Sequence, residues 1–170
     1  MTQLALRTET RVPRAVFSAC MNYRYQLWWP TGLDNDRVCL GVFANPSTAT
    51  HEQLDPTLTR WRNYCRAWGF GWSVTANVRA WRETDPKCLP PDPDAIGPYN
   101  DEQLTRVVKL AELVVCGWGK LGGARAEPVL ELIRKAGKVP HALRLNKDGS
   151  PGHPLYLPAN LKPMPMEERC

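Results

Sequence analysis

Four short apolar runs, at residues 38–44, 72–78, 113–117 and 142–145, alternate with segments whose apolar residues fall at helical spacing. No other feature constrains the fold as much. A continuous apolar run of strand length suits a strand buried on both faces. Strands joined through helices make right-handed crossovers, hence a mainly parallel sheet with helices on both sides. Residues 15–29, AVFSACMNYRYQLWW, add a hairpin turning near Met21 and Asn22. There Tyr23, Tyr25 and Leu27 alternate with Arg24 and Gln26, the period of a strand. The expected fold is α/β: a three-layer α/β/α arrangement with a central, mainly parallel four-stranded sheet plus an N-terminal β-hairpin. A length of 170 residues fits one domain, with its core at 15–158 and a Pro-rich C-terminal tail at 159–170.

Local signals place the helices. Asp55 is a good N-cap and Pro56 suits the first helical position. Leu58, Trp61, Cys65 and Trp68 follow at helical spacing until Gly69. Asn100 with Gln103 resembles a capping box opening a helix at 101–111. A third helix is predicted at 124–135, ending at Gly137. Residues 82–98 are rich in Pro and Asp and read as a long loop, a length often reserved for function. From Asn146 onward the chain reads as irregular or wrapped on the surface.

Composition excludes more than it assigns. No apolar run approaches the roughly 20 residues of a membrane span, and the first residues lack the apolar stretch of a secretory signal. Six cysteines contain no C-x-x-C pair, which predicts reduced thiols, a cytoplasmic protein and no metal site. The net charge of +5 permits nucleic-acid binding. Basic and aromatic residues interleave at 60–82, a pattern that suits stacking on bases and equally suits a Trp-rich core beneath a solvated charged face.

Ligands in such folds bind at the carboxyl ends of strands. Asn45 in VFANPSTA ends the first central strand. Its amide can orient a water or read a polar edge, and Ser47 and Thr48 add hydroxyls; the same stretch also reads as a plain Asn-Pro turn. Asp55 is either a helix cap alone or a partner of Asn45. Arg60, one turn into that helix, can meet a phosphate. Asn77 closes the second strand, either toward a ligand or as a loop-capping amide, and is followed by Arg79. His153 stands between Gly and Pro in a loop, where it can donate to a developing anion. His51 and His141 lack such a setting and read as structural or exposed. Gly117-Trp118-Gly119-Lys120-Leu121-Gly122 matches G-x-G-x-x-G between a strand and a helix, though no ribose-binding acid follows the next strand. No nucleophile elbow, zincin helix or Walker loop is present.

NPSTA (45–49), DPT (55–57), VTANVRAWRETDP (74–86), IGPYND (96–101), CGWG (116–119) and GHPLYL (152–157) together resemble domain-of-unknown-function family 1643, found in bacteria and phages. More distantly, Ala44-Asn45-Pro46, Asn77 with Arg79, and His153-Pro154-Leu155 are similar to the uracil-DNA glycosylase superfamily. That likeness implies that Asn45 positions the attacking water and Asn77 reads the base. His153 would stabilise the departing base anion, and Leu155 would wedge into the duplex. Two departures stand out: Leu155-Tyr156-Leu157 replaces the superfamily's Ser-rich motif, and the first loop lacks a stacking aromatic. The expected activity is hydrolysis of an N-glycosidic bond of a base in DNA or in a nucleotide. Asn45, Asp55 and His153 would be catalytic, with Ser47, Thr48, Arg60, Asn77, Arg79, Gly117, Trp118, Gly119, Lys120 and Leu155 on the substrate. No cofactor or metal is implied. A non-catalytic binding protein of the same fold, and a nucleotide-phosphate enzyme using the 117–122 loop, are the alternatives.

Overall fold

The computed structural model describes residues 11–48 and 52–166; His51 and Cys170 lie outside them. The strands are β1 (Arg14–Phe17), β2 (Arg24–Pro30), β3 (Val38–Phe43), β4 (Trp72–Asn77), β5 (Leu113–Cys116), β6 (Pro140–Ala142) and β7 (Met164–Pro165). The helices are α1 (Pro56–Ala67), α2 (Asn100–Leu110) and α3 (Ala126–Lys135). All seven strands join one mixed sheet in the order β1-β2-β4-β3-β5-β6-β7. β4, β3, β5 and β6 are mutually parallel, the hairpin adds antiparallel to β4, and β7 adds antiparallel to β6.

Three expectations need correction. The sheet is larger than four strands and a hairpin, because the Pro-rich tail supplies β7, pinned by Met166 N–H donating to Pro140 O at 2.8 Å. The strand expected at 142–145 ends instead at Ala142. Beyond it the chain turns on itself, with Leu145 bridged to Pro151. Asn100 does not open a capping box. It is fully buried inside α2, and its amide donates to the carbonyls of Asn77 and Val78 at 3.0 and 3.2 Å.

Alternation along β3 divides the core. Val38, Leu40 and Val42 pack with Leu104 and Val107 of α2 and Val129 and Ile133 of α3. Cys39 and Phe43 pack with Trp61, Tyr64 and Cys65 of α1. Gly41 stands where a Cβ would fall 2.6 Å from Phe43 and 2.8 Å from Trp61, so only glycine lets these rings meet edge to face at 5.6 Å. Asp55 caps α1 by accepting from Leu58 N–H at 2.7 Å, and Gly69, at φ +86°, ends it in the left-handed region that glycine tolerates.

The chain leaves β3 through α1 toward β4 on one side, then returns through α2 to β5 on the other. That reversal opens a crevice beyond the carboxyl ends of β3, β4 and β5.

Candidate functional site

A cleft of about 920 Å³ occupies this crevice. Of the residues singled out from sequence, Asn45, Ser47, Asp55, Asn77, Trp118, Gly119, Lys120 and His153 line it. They come from the ends of three strands, the start of α1 and the 3₁₀ turn at Pro154–Tyr156. Thr48, Arg60, Arg79, Gly117 and Leu155 are not among the lining residues.

The first loop is held by its own polar groups. Asn45 Nδ2 donates to Glu83 O at 2.7 Å and to Pro46 O at 3.2 Å. A glycine turn could not make this tie to the 82–98 loop, so the asparagine has a structural use. Its Oδ1 remains as an acceptor, with no partner among the described residues. Ser47 Oγ donates to Asp55 Oδ2 at 3.3 Å, which joins the loop to the head of α1. Thr48 pairs its hydroxyl with Thr84 at 2.9 Å and is exposed. The Pro- and Asp-rich loop thus forms one lip of the cleft through Glu83, Thr84 and Pro86.

Asn77 is 4% exposed, yet its side-chain amide makes no hydrogen bond among the described residues. Its backbone is clamped. Asn100 holds the Asn77 carbonyl, and Val78 O accepts from both Asn100 and Arg125 Nε, the latter at 3.1 Å. Arg125 in turn pairs with Asp101. A rigid strand end carrying an uncommitted amide is preorganised to meet a polar partner.

His153 caps the 3₁₀ turn by accepting from Leu155 N–H through Nδ1 at 3.3 Å. The neutral ring therefore carries its proton on Nε2. Phe43 and Tyr156 flank the imidazole at 5.8 and 5.5 Å between centroids. Burial lowers the His153 pKa below 6.5, and Asp55 opposes that shift. A proton-resonance titration is expected to find its midpoint below 6.5. Because the unfolded imidazole takes its proton at higher pH than the folded one, stability should drain as pH falls below about 6.5 until the folded midpoint is passed. A midpoint at or above 6.5 would contradict this environment.

The remaining candidates have other work. Arg79 makes a two-pronged pair with Asp92, at 2.8 and 2.9 Å, and donates to Leu121 O at 2.8 Å, so it ties the long loop to the 3₁₀ segment Gly119–Arg125 and does not line the cleft. Two glycines of the 117–122 loop, Gly117 and Gly122, answer to packing, while Gly119 stands at φ +58°. A Cβ on Gly117 would crowd Phe43 and Pro154 at 3.0 Å, and one on Gly122 would strike Trp118 at 2.2 Å. Gly117 and Gly119 N–H already donate to Val42 O and Pro151 O, at 2.8 and 2.9 Å, so two amides that a phosphate cradle would use are spent. Arg60 and Leu155 are half-buried.

Several lining residues were not singled out from sequence. Tyr156 stands 82% exposed at the rim beside His153. Lys147 and Arg144 join Lys120 as exposed cations. Arg24, on β2, is 3% exposed. The β1–β2 pairing steps from Val16↔Gln26 to Phe17↔Arg24, which skips Tyr25. Such a bulge re-aims a side chain. In a regular strand Arg24 would share the face of Gln26, whose amide reaches Gln103 on α2. Burial lowers the Arg24 pKa to about 10, partly offset by Asp55, so it stays a cation at neutral pH. No trio of His, Cys, Asp or Glu among the described residues is placed to hold a metal, and no described helix is long and apolar enough to cross a membrane.

Residues 24–155 match the family model described as protein of unknown function (DUF1643). The chain belongs to this family. The DUF1643 span opens on Arg24 and closes on Leu155, so it takes in Asn45, Asp55, Asn77, Lys120 and His153 together. No curated protein and no solved structure matches the chain.

Proposed function

We propose that this DUF1643 chain hydrolyses the N-glycosidic bond of a nucleobase held in the cleft, in DNA or in a nucleotide, with a uracil-DNA-glycosylase-like three-layer arrangement. The observation that carries this reading is the convergence of Asn45, Asn77 and His153 on one cleft. These are the three positions at which the sequence resembles that superfamily.

Breaking the bond sends its electron pair to the base and leaves positive charge on the sugar. His153 Nε2–H is the donor for the developing negative charge on the base. A neutral ring serves here, and burial favours the neutral form. Asn45 Oδ1 accepts from the attacking water, whose oxygen bonds to the sugar carbon. Asp55 retains lone pairs to take the proton that water releases, and its charge steadies the sugar cation. Asn77 reads the base edge. Phe43 and Tyr156 supply ring faces that the first loop lacks, and a base leaving a stack needs them.

A non-catalytic reader of the same ligand is the second reading. It is favoured by Asn45 spending both amide donors on the fold, which leaves one acceptor to hold a water. Incubating the full chain with oligonucleotides and nucleotides of different bases, then separating free base chromatographically, tests both. Release by the wild type that is lost in a folded Asn45→Ala variant supports hydrolysis. Binding without release supports the reader. Absence of binding at low salt overturns both.

A further inference from the structure

Asn77 lines the cleft, and the peptide unit that follows it is held at both ends. Its oxygen accepts from Asn100 Nδ2 at 3.0 Å, and its N–H, on Val78, donates to Phe43 O at 2.9 Å. The next carbonyl, Val78 O, takes two donors, Asn100 Nδ2 at 3.2 Å and Arg125 Nε at 3.1 Å. Arg125 is itself held by Asp101. Asn100 and Arg125 are 0% and 8% exposed, and neither lines the cleft. Packing alone does not call for an amide at position 100. Asn100 Oδ1 is buried without a partner among the described residues, and an unsatisfied buried acceptor costs stability. An apolar side chain there would anchor α2 as Leu104 and Val107 do. What the amide adds is a fixed peptide plane, and with it the direction in which Asn77 projects.

Resting on the reading in which Asn77 meets the base edge, we infer that Asn100 and Arg125 are positioning residues for that contact. They touch no ligand. They hold the strand end so that the Asn77 amide is aimed before the base arrives, and binding is spared the cost of ordering it. Side chains that act through one another are coupled, so removing the second changes little once the first is gone. The clamp should therefore matter to the base only while Asn77 is present.

Proton–nitrogen NMR titration of the full chain with uracil, cytosine, adenine and hypoxanthine tests this, since it reports both the affinity and the Asn77 side-chain amide. Asn100→Leu keeps the side chain's size and removes both donors. It is expected to weaken binding of the tightest of these bases by about three-fold or more, and to move or broaden the Asn77 amide signal of the free protein. In an Asn77→Ala background the same change should alter binding by less than about two-fold. Arg125→Lys keeps a cation for Asp101 and loses the Nε–H. It should show the same pattern in smaller measure, and it carries the test if Asn100→Leu does not fold. Val108→Ala, which opens a cavity at the far end of α2, is the control. It should lower the melting temperature and leave the Asn77 signal and the affinity alone; moving both as the clamp variants do would show a clamp that serves the fold only, and would overturn the inference. Weaker binding by Asn77→Ala with wild-type binding by both clamp variants overturns the inference and leaves the nucleobase reading standing. So does an equal loss with and without Asn77. Wild-type binding by Asn77→Ala, or binding of none of the four bases, overturns the reading of Asn77, and the inference falls with it.

Discussion

Replacing His153 with alanine is expected to slow base release by about 100- to 1000-fold, the usual cost of one donor aimed at developing charge. The expectation follows from where the ring sits. Its Nδ1 is occupied by Leu155 N–H, and its Nε2 proton is the one left to face the cleft. A donor fixed before the reaction needs no reorganisation as charge builds. His153→Gln, whose amide can place an N–H near the same point, should lose less. Rates measured at saturating substrate, with melting curves for both variants, check this. Equal losses for Ala and Gln would mean that the ring serves packing between Phe43 and Tyr156, not donation.

The largest stability effect is expected at Trp61. It is 1% exposed, meets Phe43 and Trp68 edge to face, and donates Nε1–H to Val74 O at 2.9 Å. Trp61→Ala removes a large buried ring and leaves the Val74 carbonyl without that donor. Large-to-small changes of this kind cost about 3–5 kcal/mol, which approaches the whole stability of many domains of this size. Because Phe43 forms part of the cleft wall, ligand binding should weaken as well. Denaturant unfolding gives the number; a loss under about 1 kcal/mol would show that α1 is not anchored through this ring.

The central fold was legible because burial on both faces writes itself as unbroken apolar runs. Residues 38–44, 72–78 and 113–117 fell on β3, β4 and β5, and Asp55 caps α1 as its sequence suggests. What escaped were features set by tertiary context. β7 pairs through only two residues, too few for any periodicity to register. Asn100 looks like a cap because capping and strand clamping call for the same amide, and only burial distinguishes them. Arg24 alternated with Tyr23 and Tyr25, which put it on the face of Gln26. The bulge at Tyr25 turned it inward, and a bulge leaves no mark on the hydrophobic pattern. Arg79 was expected on the substrate because the stretch from Asn77 to Arg79 is similar to the glycosylase superfamily. Its partner, Asp92, lies in a loop whose path the sequence does not disclose. The candidate site was legible where a strand's carboxyl end ran into a polar residue, as at Asn45 and Asn77. It was not legible where distant loops closed over it, as with Arg144, Lys147 and Tyr156.

The convergence of Asn45, Asn77 and His153 on one ligand is tested most directly by following the Asn77 and Asn45 side-chain amide resonances and the His153 ring resonances while a free base is titrated in. If one cleft holds the base, all three should shift saturably with a single dissociation constant, the Asn77 amide most of all because it makes no bond among the described residues. A base that binds while the Asn77 and His153 signals stay still would contradict the site, and with it the proposed chemistry.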